Sequence, residues 1–512
     1  MMTERTMKSK ILTSLVLGSA LVFAGCTDLE VVETDSIVTA PEGDFQGVDA
    51  KGNLTSAYNA LALQNTQENL YALSEATTDE LFIPTRGTDW GDNGVWRDLA
   101  KHTWNSSHQF NLNTWNFLNS TVYGTNQLLH PATTKTPLQE AEAKFIRAYF
   151  MFWILDLWRQ VPIRQADEGP EVNPTILSAQ EAVDFIISDL EAALPVLPAT
   201  KSGEIENQDV ASKASARMLL AKLYLNKHIY LGATVNNADM DKVIGYVTEI
   251  EADGYKLQNG FFQIFSPSAD SETILYSNGK YDSRIWGSLH YNQGRETDNK
   301  NGGWNGFVTP AEFYAKFEGP TDENLEGGPQ EERRGYVPGE KLGIGFLIGT
   351  QGGPGGPVKA RSGQNLVFTK NVTSLTGQPD YSGIRLLKYH PTINMPGSNA
   401  NHLMIFRYAD ALLMKAEALL RKGSTAEALT LVNSLRTIRQ ATPLGSLSED
   451  DVLDERGREL YIEGWRRNDM VRFGKFAAQF VFVEDASPDR NVFPIPDVAL
   501  GSNPNLKQNA GY

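Results

Sequence analysis

Residues 148–158 read Ala-Tyr-Phe-Met-Phe-Trp-Ile-Leu-Asp-Leu-Trp, so a helix there is apolar on nearly every side, with Asp156 its one charge. At helical spacing Ala141, Phe145, Ala148, Phe152 and Leu155 form one stripe, which Tyr149 and Trp153 widen. A helix of this kind cannot lie on a surface; other elements have to enclose it. The stretch is also about half the roughly 20 residues that a membrane span needs, so residues 138–159 are expected as a buried helix inside a large body.

That body holds itself together without covalent staples. The 512 residues include one cysteine, Cys26, so no intrachain disulfide is possible and stability must come from burial. Cys26 follows a hydrophobic run, residues 11–23, preceded by Arg5, Lys8 and Lys10, and the run ends Phe23-Ala24-Gly25-Cys26. Basic flank, short apolar run and small-small-Cys ending make a bacterial lipoprotein signal, with Cys26 as the acylated first residue of the mature chain. Residues 1–25 are then the signal peptide, 26–46 a polar, acidic tether, and 47–512 a single domain. Loss of Glu4, Arg5, Lys8 and Lys10 takes the net charge from −16 to −18. Such a chain repels polyanions, which argues against nucleic acid and favours neutral or cationic ligands.

Helical periodicity covers residues 53–63, 111–129, 138–159, 179–194 and 211–226, then returns at 405–422, 426–439 and 450–471. Small and large apolar residues alternate alike in 216–225 and 411–420, which suggests tetratricopeptide-like helical hairpins. The expected fold is mainly α: a scaffold over about 47–253 and 402–480, with a loop-rich middle, about 254–401, carrying short strands. Gly352-Gly353-Pro354-Gly355-Gly356-Pro357 in that middle cannot hold a helix or a central strand.

Several separate segments resemble one family. They are Arg407-Tyr408-Ala409-Asp410 through Ala416-Glu417-Ala418; Asn433-Ser434-Leu435-Arg436; Asp454-Glu455-Arg456 with Glu459, Glu463-Gly464, Arg466, Asp469 and Arg472-Phe473; Phe493-Pro494-Ile495-Pro496; and the ending from Asn503 to Tyr512. In the N-terminal half, residues 141–150 leading to Val161-Pro162 fit as well. On these motifs the chain is similar to the SusD/RagB-type nutrient-binding outer-membrane lipoproteins of Bacteroidetes. The resemblance implies a lipid-anchored cell-surface protein that captures oligo- or polysaccharide and passes it to a SusC-like TonB-dependent transporter, with no cofactor and no catalysis. Peptide capture for an oligopeptide importer and a surface glycoside hydrolase are the alternatives. Most of the matched charges read as scaffold, with Arg456, Glu459, Glu463 and Arg466, at near-turn spacing, forming ion-pair ladders on or between helices.

Ligand-binding residues have to come from local composition. In residues 79–96, Gly87, Gly91 and Gly94 surround Trp90, Arg86, Asp89 and Asn93, as expected of a tight loop that holds an indole outward beside planar polar groups. Sugar rings pack C–H faces on aromatic planes while their hydroxyls meet carboxylate, amide and guanidinium groups. Trp90, Asp79, Arg86 and Asp89 are therefore candidates, joined by Trp286 and by Trp304 within Asn301-Gly302-Gly303-Trp304-Asn305-Gly306. Trp96, Trp115, Trp153, Trp158 and Trp465 read as core. The seven histidines show no metal-ligand spacing, no phosphate-binding glycine loop is complete, and no Gly-x-Ser-x-Gly elbow occurs.

Overall fold

The computed structural model describes residues 45–512 apart from 64–65, 205–207, 279–281, 295–301, 325–326, 354 and 392–401. Cys26, most of the tether and Asn301 lie outside the described residues. Ten helices form the scaffold: α1 Ala50–Leu63, α2 Gln109–Leu129, α3 Pro137–Trp158, α4 Ala179–Ala193, α5 Lys213–Tyr230, α6 Asn237–Ala252, α7 Tyr408–Arg421, α8 Thr425–Ile438, α9 Glu449–Leu460 and α10 Arg466–Arg472. Successive helices pack in pairs, α2 on α3, α3 on α4, α5 on α6 and α7 on α8, and α7 also lies against α6, which joins the two halves of the scaffold across the middle region.

Helix α3 is enclosed as its composition demands, every residue from Ala148 to Trp158 being buried. Pro137 opens it, and Thr136 and Gln139 cap it reciprocally. Asp156 is tolerated inside because it is fully engaged: Arg467 and Asn468 donate to it at 2.9 and 2.7 Å, and the Tyr230 hydroxyl at 3.1 Å. The tryptophans read as core, Trp96, Trp115, Trp153, Trp158 and Trp465, are all buried.

Three helix expectations need correction. Residues 405–407 are strand, not helix: Leu403–Arg407 pairs antiparallel with Thr273–Ser277, and all five residues are buried, which suits a strand covered on both faces. The segment 450–471 is two helices, not one. Between α9 and α10 the chain turns at Ile462 (φ 53°) and Gly464 (φ 88°), and the buried carboxyl groups of Glu80 and Glu75 accept their backbone N–H groups. Helix α6 was not anticipated, although Met240, Val243, Val247 and Ile250 form a buried stripe behind the Asn236 cap.

The middle region has its own core of Phe261, Phe265, Phe313, Phe317, Phe346 and Tyr461 among others. It carries a three-stranded antiparallel sheet in which Ile344–Leu347 lies between Arg385–Leu387 and Gly335–Tyr336. A buried charge network fastens this region to the scaffold. Glu459 on α9 accepts from Arg407 at 2.7 Å, Arg439 at 2.9 Å and Arg333 at 3.2 Å; Glu455 accepts from Arg333 and Arg436; Glu463 meets Arg407 and Lys388. The ion pairs expected of Arg456, Glu459, Glu463 and Arg466 run between elements and not along one helix. Arg456 pairs with Asp410 and Asp469, and Arg466 with Asp79, because these side chains leave the bent α9–α10 segment toward different neighbours.

The network sets an acid limit. Burial raises the proton affinity of Glu455, Glu417 and Asp410, but the adjacent cations outweigh it and hold each at about 2: Arg333, Arg458 and Arg436 for Glu455, Arg472 and Arg421 for Glu417, Lys222 and Arg456 for Asp410. These carboxyls sit below their unfolded values of about 4. Their stabilisation is thus complete above those values and is lost as pH falls toward 2. Glu75, pushed up to about 7 chiefly by burial, works oppositely and costs stability as pH rises from about 4.5 to 7. The urea midpoint is therefore expected to drop steeply between about pH 4 and pH 2. A midpoint that is flat across that range would contradict the ion-pair geometry.

Candidate functional site

The loop from Arg86 to Trp96 is held in a conformation that side-chain-bearing residues seldom adopt. Arg86 and Asp89 exchange backbone hydrogen bonds of 3.1 Å around Gly87 (φ 62°), and Trp90, Asp92 and Asn93 follow at φ 61°, 36° and 52°. Three such residues within four positions store strain, which persists because the surroundings fix them. Trp96 donates from its indole to Asp92 at 2.8 Å, and Trp90 donates to the Trp304 carbonyl at 2.8 Å. The Trp90 ring packs edge-on against Trp96 and tilted against Phe307, with centroids at 5.8 and 5.6 Å.

The second wall is the segment from Trp286 to Phe307. Trp304 donates its N–H to the Trp286 carbonyl, and Gly303 to that of His290, so the segment doubles back on itself. Gly306 is required by the Trp90 indole, which lies where a Cβ would be, 2.3 Å from Cε2. Asn305, at φ 56° and fully buried, donates to the Asp380 carbonyl at 2.8 Å and accepts from Arg385 at 2.8 Å. This arrangement leaves the Trp304 side chain 37% exposed beside the partly exposed Trp90.

Polar groups converge on the same rim. The Tyr291 hydroxyl donates to Asp89, and the Arg361 guanidinium lies 3.6 Å from the Tyr291 ring centre and 3.6 Å from Asp89 Oδ2. Burial, then the Asp89 carboxylate, pushes the Tyr291 phenol up to about 12, so it stays a donor. Asp380 accepts from the Arg361 backbone and from His290 Nε2, both at 3.1 Å. His290 Nδ1 accepts from Asn292 N at 3.0 Å, which fixes the Nε2–H tautomer, and burial pulls its pKa down to about 4. The neighbouring Tyr381 is 42% exposed.

The candidates separate accordingly. Trp90, Trp304 and Asp89 come together at this rim with an aromatic surface, a carboxylate and a guanidinium available to solvent. Three others are corrected to framework roles. Arg86 is buried beneath the rim, donating to the Asn305 and Ser382 carbonyls at 2.6 and 2.8 Å, and burial without a carboxylate contact lowers its pKa to about 10. Asp79 forms a bidentate pair with Arg466 at 2.7 and 2.8 Å, and Trp286 is buried in the middle core. Sequence reasoning missed Asp380 and Arg361; Arg361 follows a Gly-Pro-rich stretch with no local signal of binding. Among the described residues no three His, Cys, Asp or Glu side chains cluster as metal ligands.

The model of the SusD family matches residues 360–512, and one described as starch-binding associating with outer membrane matches residues 32–225. The starch-binding protein SusD of Bacteroides thetaiotaomicron is 24% identical over 476 residues, covering 83% of this chain and 82% of that protein. A SusD-like protein from Bacteroides fragilis superposes with a TM-score of 0.69 at 19% identity, covering 92% of this chain and 99% of the other. Surface glycan-binding protein A from Bacteroides thetaiotaomicron, solved with laminarihexaose, gives a TM-score of 0.68 at 18% identity, with coverage of 90% and 98%. These structural likenesses share the helical scaffold.

Proposed function

Because the chain belongs to the SusD/RagB type, we propose that it is a cell-surface glycan-binding lipoprotein that captures an oligo- or polysaccharide and delivers it to a SusC-like TonB-dependent outer-membrane transporter. The observation that carries this reading is the rim itself: Trp90 and Trp304 side by side, with Asp89, Tyr291 and Arg361 fixed at their edge. Two aromatic faces take the C–H surfaces of successive sugar units, while the carboxylate and guanidinium hydrogen-bond vicinal hydroxyls. The names of two relatives, a starch-binding protein and a surface glycan-binding protein solved with laminarihexaose, support the ligand class. The net charge of −16 favours a neutral main chain over a polyanion.

The protein binds its glycan and does not cleave it. Asp89 and Asp380 are each committed to hydrogen bonds within the rim, which suits orientation of hydroxyls. Retardation of the form lacking residues 1–26 in native gels, each containing one polysaccharide from a panel, tests the reading. Slowed migration with one neutral polymer of unchanged size is the expected result. No retardation by any polymer or oligosaccharide, or release of reducing ends, would overturn it.

Acylation of Cys26 would hold the protein on the membrane beside its transporter and replace diffusive encounter with a high local concentration. Cys26→Ala is expected to move the protein from the membrane fraction to the soluble fraction. Unchanged membrane fractionation would remove the anchor assignment.

A further inference from the structure

Two fully buried acidic side chains, Glu75 and Glu80, support the turn between α9 and α10. Glu75 ends the short helix Leu70–Glu75, and its Oε1 accepts the Gly464 N–H. Glu80 Oε1 accepts the Ile462 N–H. Ile462 is β-branched and stands at φ 53°, in the left-handed region, a conformation that persists only where neighbours fix it. The Oε2 atoms of both residues meet no donor among the described residues, while the two side chains lie within hydrogen-bonding distance of each other. Two ionised carboxylates so placed repel. One proton between them converts the repulsion into a charge-assisted hydrogen bond.

Charged and titratable groups approach the pair from several elements. Arg284, stacked 4.3 Å from the Tyr71 ring centre, and Lys388, bound to Glu463 at 2.7 Å, act on Glu75. Arg466, paired with Asp79, acts on Glu80. The other charges of α10, Arg467, Asp469 and Arg472, are engaged by Asp156, Arg456 and Glu417. His102 lies 2.7 Å from the Thr77 carbonyl, and burial pulls its pKa down to about 4. Helix α2, which also packs on Leu70–Glu75, has no Asp, Glu, Lys, Arg or His. Burial outweighs the nearby cations, raising Glu75 to about 7 and, together with the Glu75 charge, holding Glu80 well above the usual carboxylate range. The segment after Glu80 leads to the rim: Phe82 and Val308 exchange backbone hydrogen bonds of 3.0 and 3.1 Å, and Tyr71 packs on Phe307, which touches the Trp90 ring.

We propose that Glu75 and Glu80 share one proton at neutral pH and form a pH-sensitive latch, which ties the segment at the root of the rim to the α9–α10 turn and slackens when alkaline conditions remove that proton. The two groups titrate as a pair, because ionising one opposes ionising the other. The folded pair keeps protons that the unfolded chain has released above about pH 4.5, so its contribution to stability falls as pH rises until the last proton has gone. The latch is independent of the glycan reading. Only its consequence for binding, a rim held less firmly at alkaline pH, rests on that reading.

Urea midpoints of the full chain and of Glu80→Gln, measured side by side from about pH 7 to about pH 9, test it. The variant amide donates permanently to Glu75 while its oxygen still accepts the Ile462 N–H, so it stands in for the protonated carboxyl. The midpoint of Glu80→Gln minus that of wild type is expected to grow as pH rises, the difference cancelling groups that titrate alike in both proteins. Infrared spectra supply a measurement that needs no variant: wild type at about pH 7 is expected to show the C=O stretch of a protonated carboxyl, weakening toward about pH 9. A midpoint difference that is independent of pH, no such band in wild type, or a band undiminished in Glu80→Gln would each overturn the latch. Retardation of wild type by the polysaccharide is expected to weaken over the same range and that of Glu80→Gln to hold. Retardation of wild type that does not change with pH would overturn the coupling to the rim, and no retardation at any pH would overturn the glycan reading while the midpoints and the infrared band decide the latch.

Discussion

Glu459→Gln is expected to lower the unfolding free energy by about 3–5 kcal/mol, read from the urea midpoint of the helical circular-dichroism signal. The variant keeps the shape of the side chain and removes one charge. Glu459 is completely buried and accepts from three guanidiniums, those of Arg407, Arg439 and Arg333, which come from the strand before α7, the residue after α8 and the middle region. With an amide there, three buried cations share too few carboxylates, and an N–H₂ faces donors it cannot accept from. A buried ion pair adds little compared with an apolar replacement of the whole cluster, but breaking one from a single side leaves an uncompensated charge. Glu449→Gln supplies the control: its carboxylate is 55% exposed and 3.6 Å from Arg421, so a change under about 1 kcal/mol is expected. A Glu459→Gln cost no larger than that of the control would mean that the network does not fasten the middle region to the scaffold.

Trp304→Ala is expected to weaken binding of the retarding polysaccharide by tenfold or more, corresponding to about 1–3 kcal/mol, with little change in stability. Trp304 is the cleaner probe of the two rim tryptophans. Its side chain is 37% exposed, and its contribution to the fold is made through the backbone, whose carbonyl accepts from Trp90 and whose N–H donates to Trp286. Alanine keeps both bonds. Trp90→Ala also removes ring contacts with Trp96 and Phe307, so its loss of binding would be mixed with loss of the wall that carries it. Affinity of Trp304→Ala equal to wild type, with the fold intact, would place the glycan elsewhere on the surface.

The long helices, the buried tryptophans, the loop-rich middle and the family were legible in the sequence. They depend on information close together in the chain: apolar spacing over a few turns, a capping residue such as Thr136 or Ser178, or a motif within one segment. Where helices were misjudged, a distant group intervened. The break between α9 and α10 follows from Glu75 and Glu80, which bind backbone N–H groups more than 380 residues away in Gly464 and Ile462.

The site divided in the same way. Local composition picked out Trp90, Trp304 and Asp89, since glycines beside an indole and a carboxylate mark a loop that can present them. It also picked out Asp79 and Arg86, because a charge on a loop looks the same in sequence whether it faces solvent or a buried partner. The Asp79 partner is Arg466, 387 residues on, and the Arg86 partners include Ser382, 296 residues on. The sequence by itself therefore determined the helical class, the expectation of an anchor at Cys26 and the kinds of side chain able to meet a sugar. Only the tertiary structure decided which charges are paired, which tryptophan is exposed, and that Arg333 is neutralised by Glu331, Glu455 and Glu459. Burial and ion pairing depend on which segments pack together, and adjacent residues can face opposite sides of the same turn.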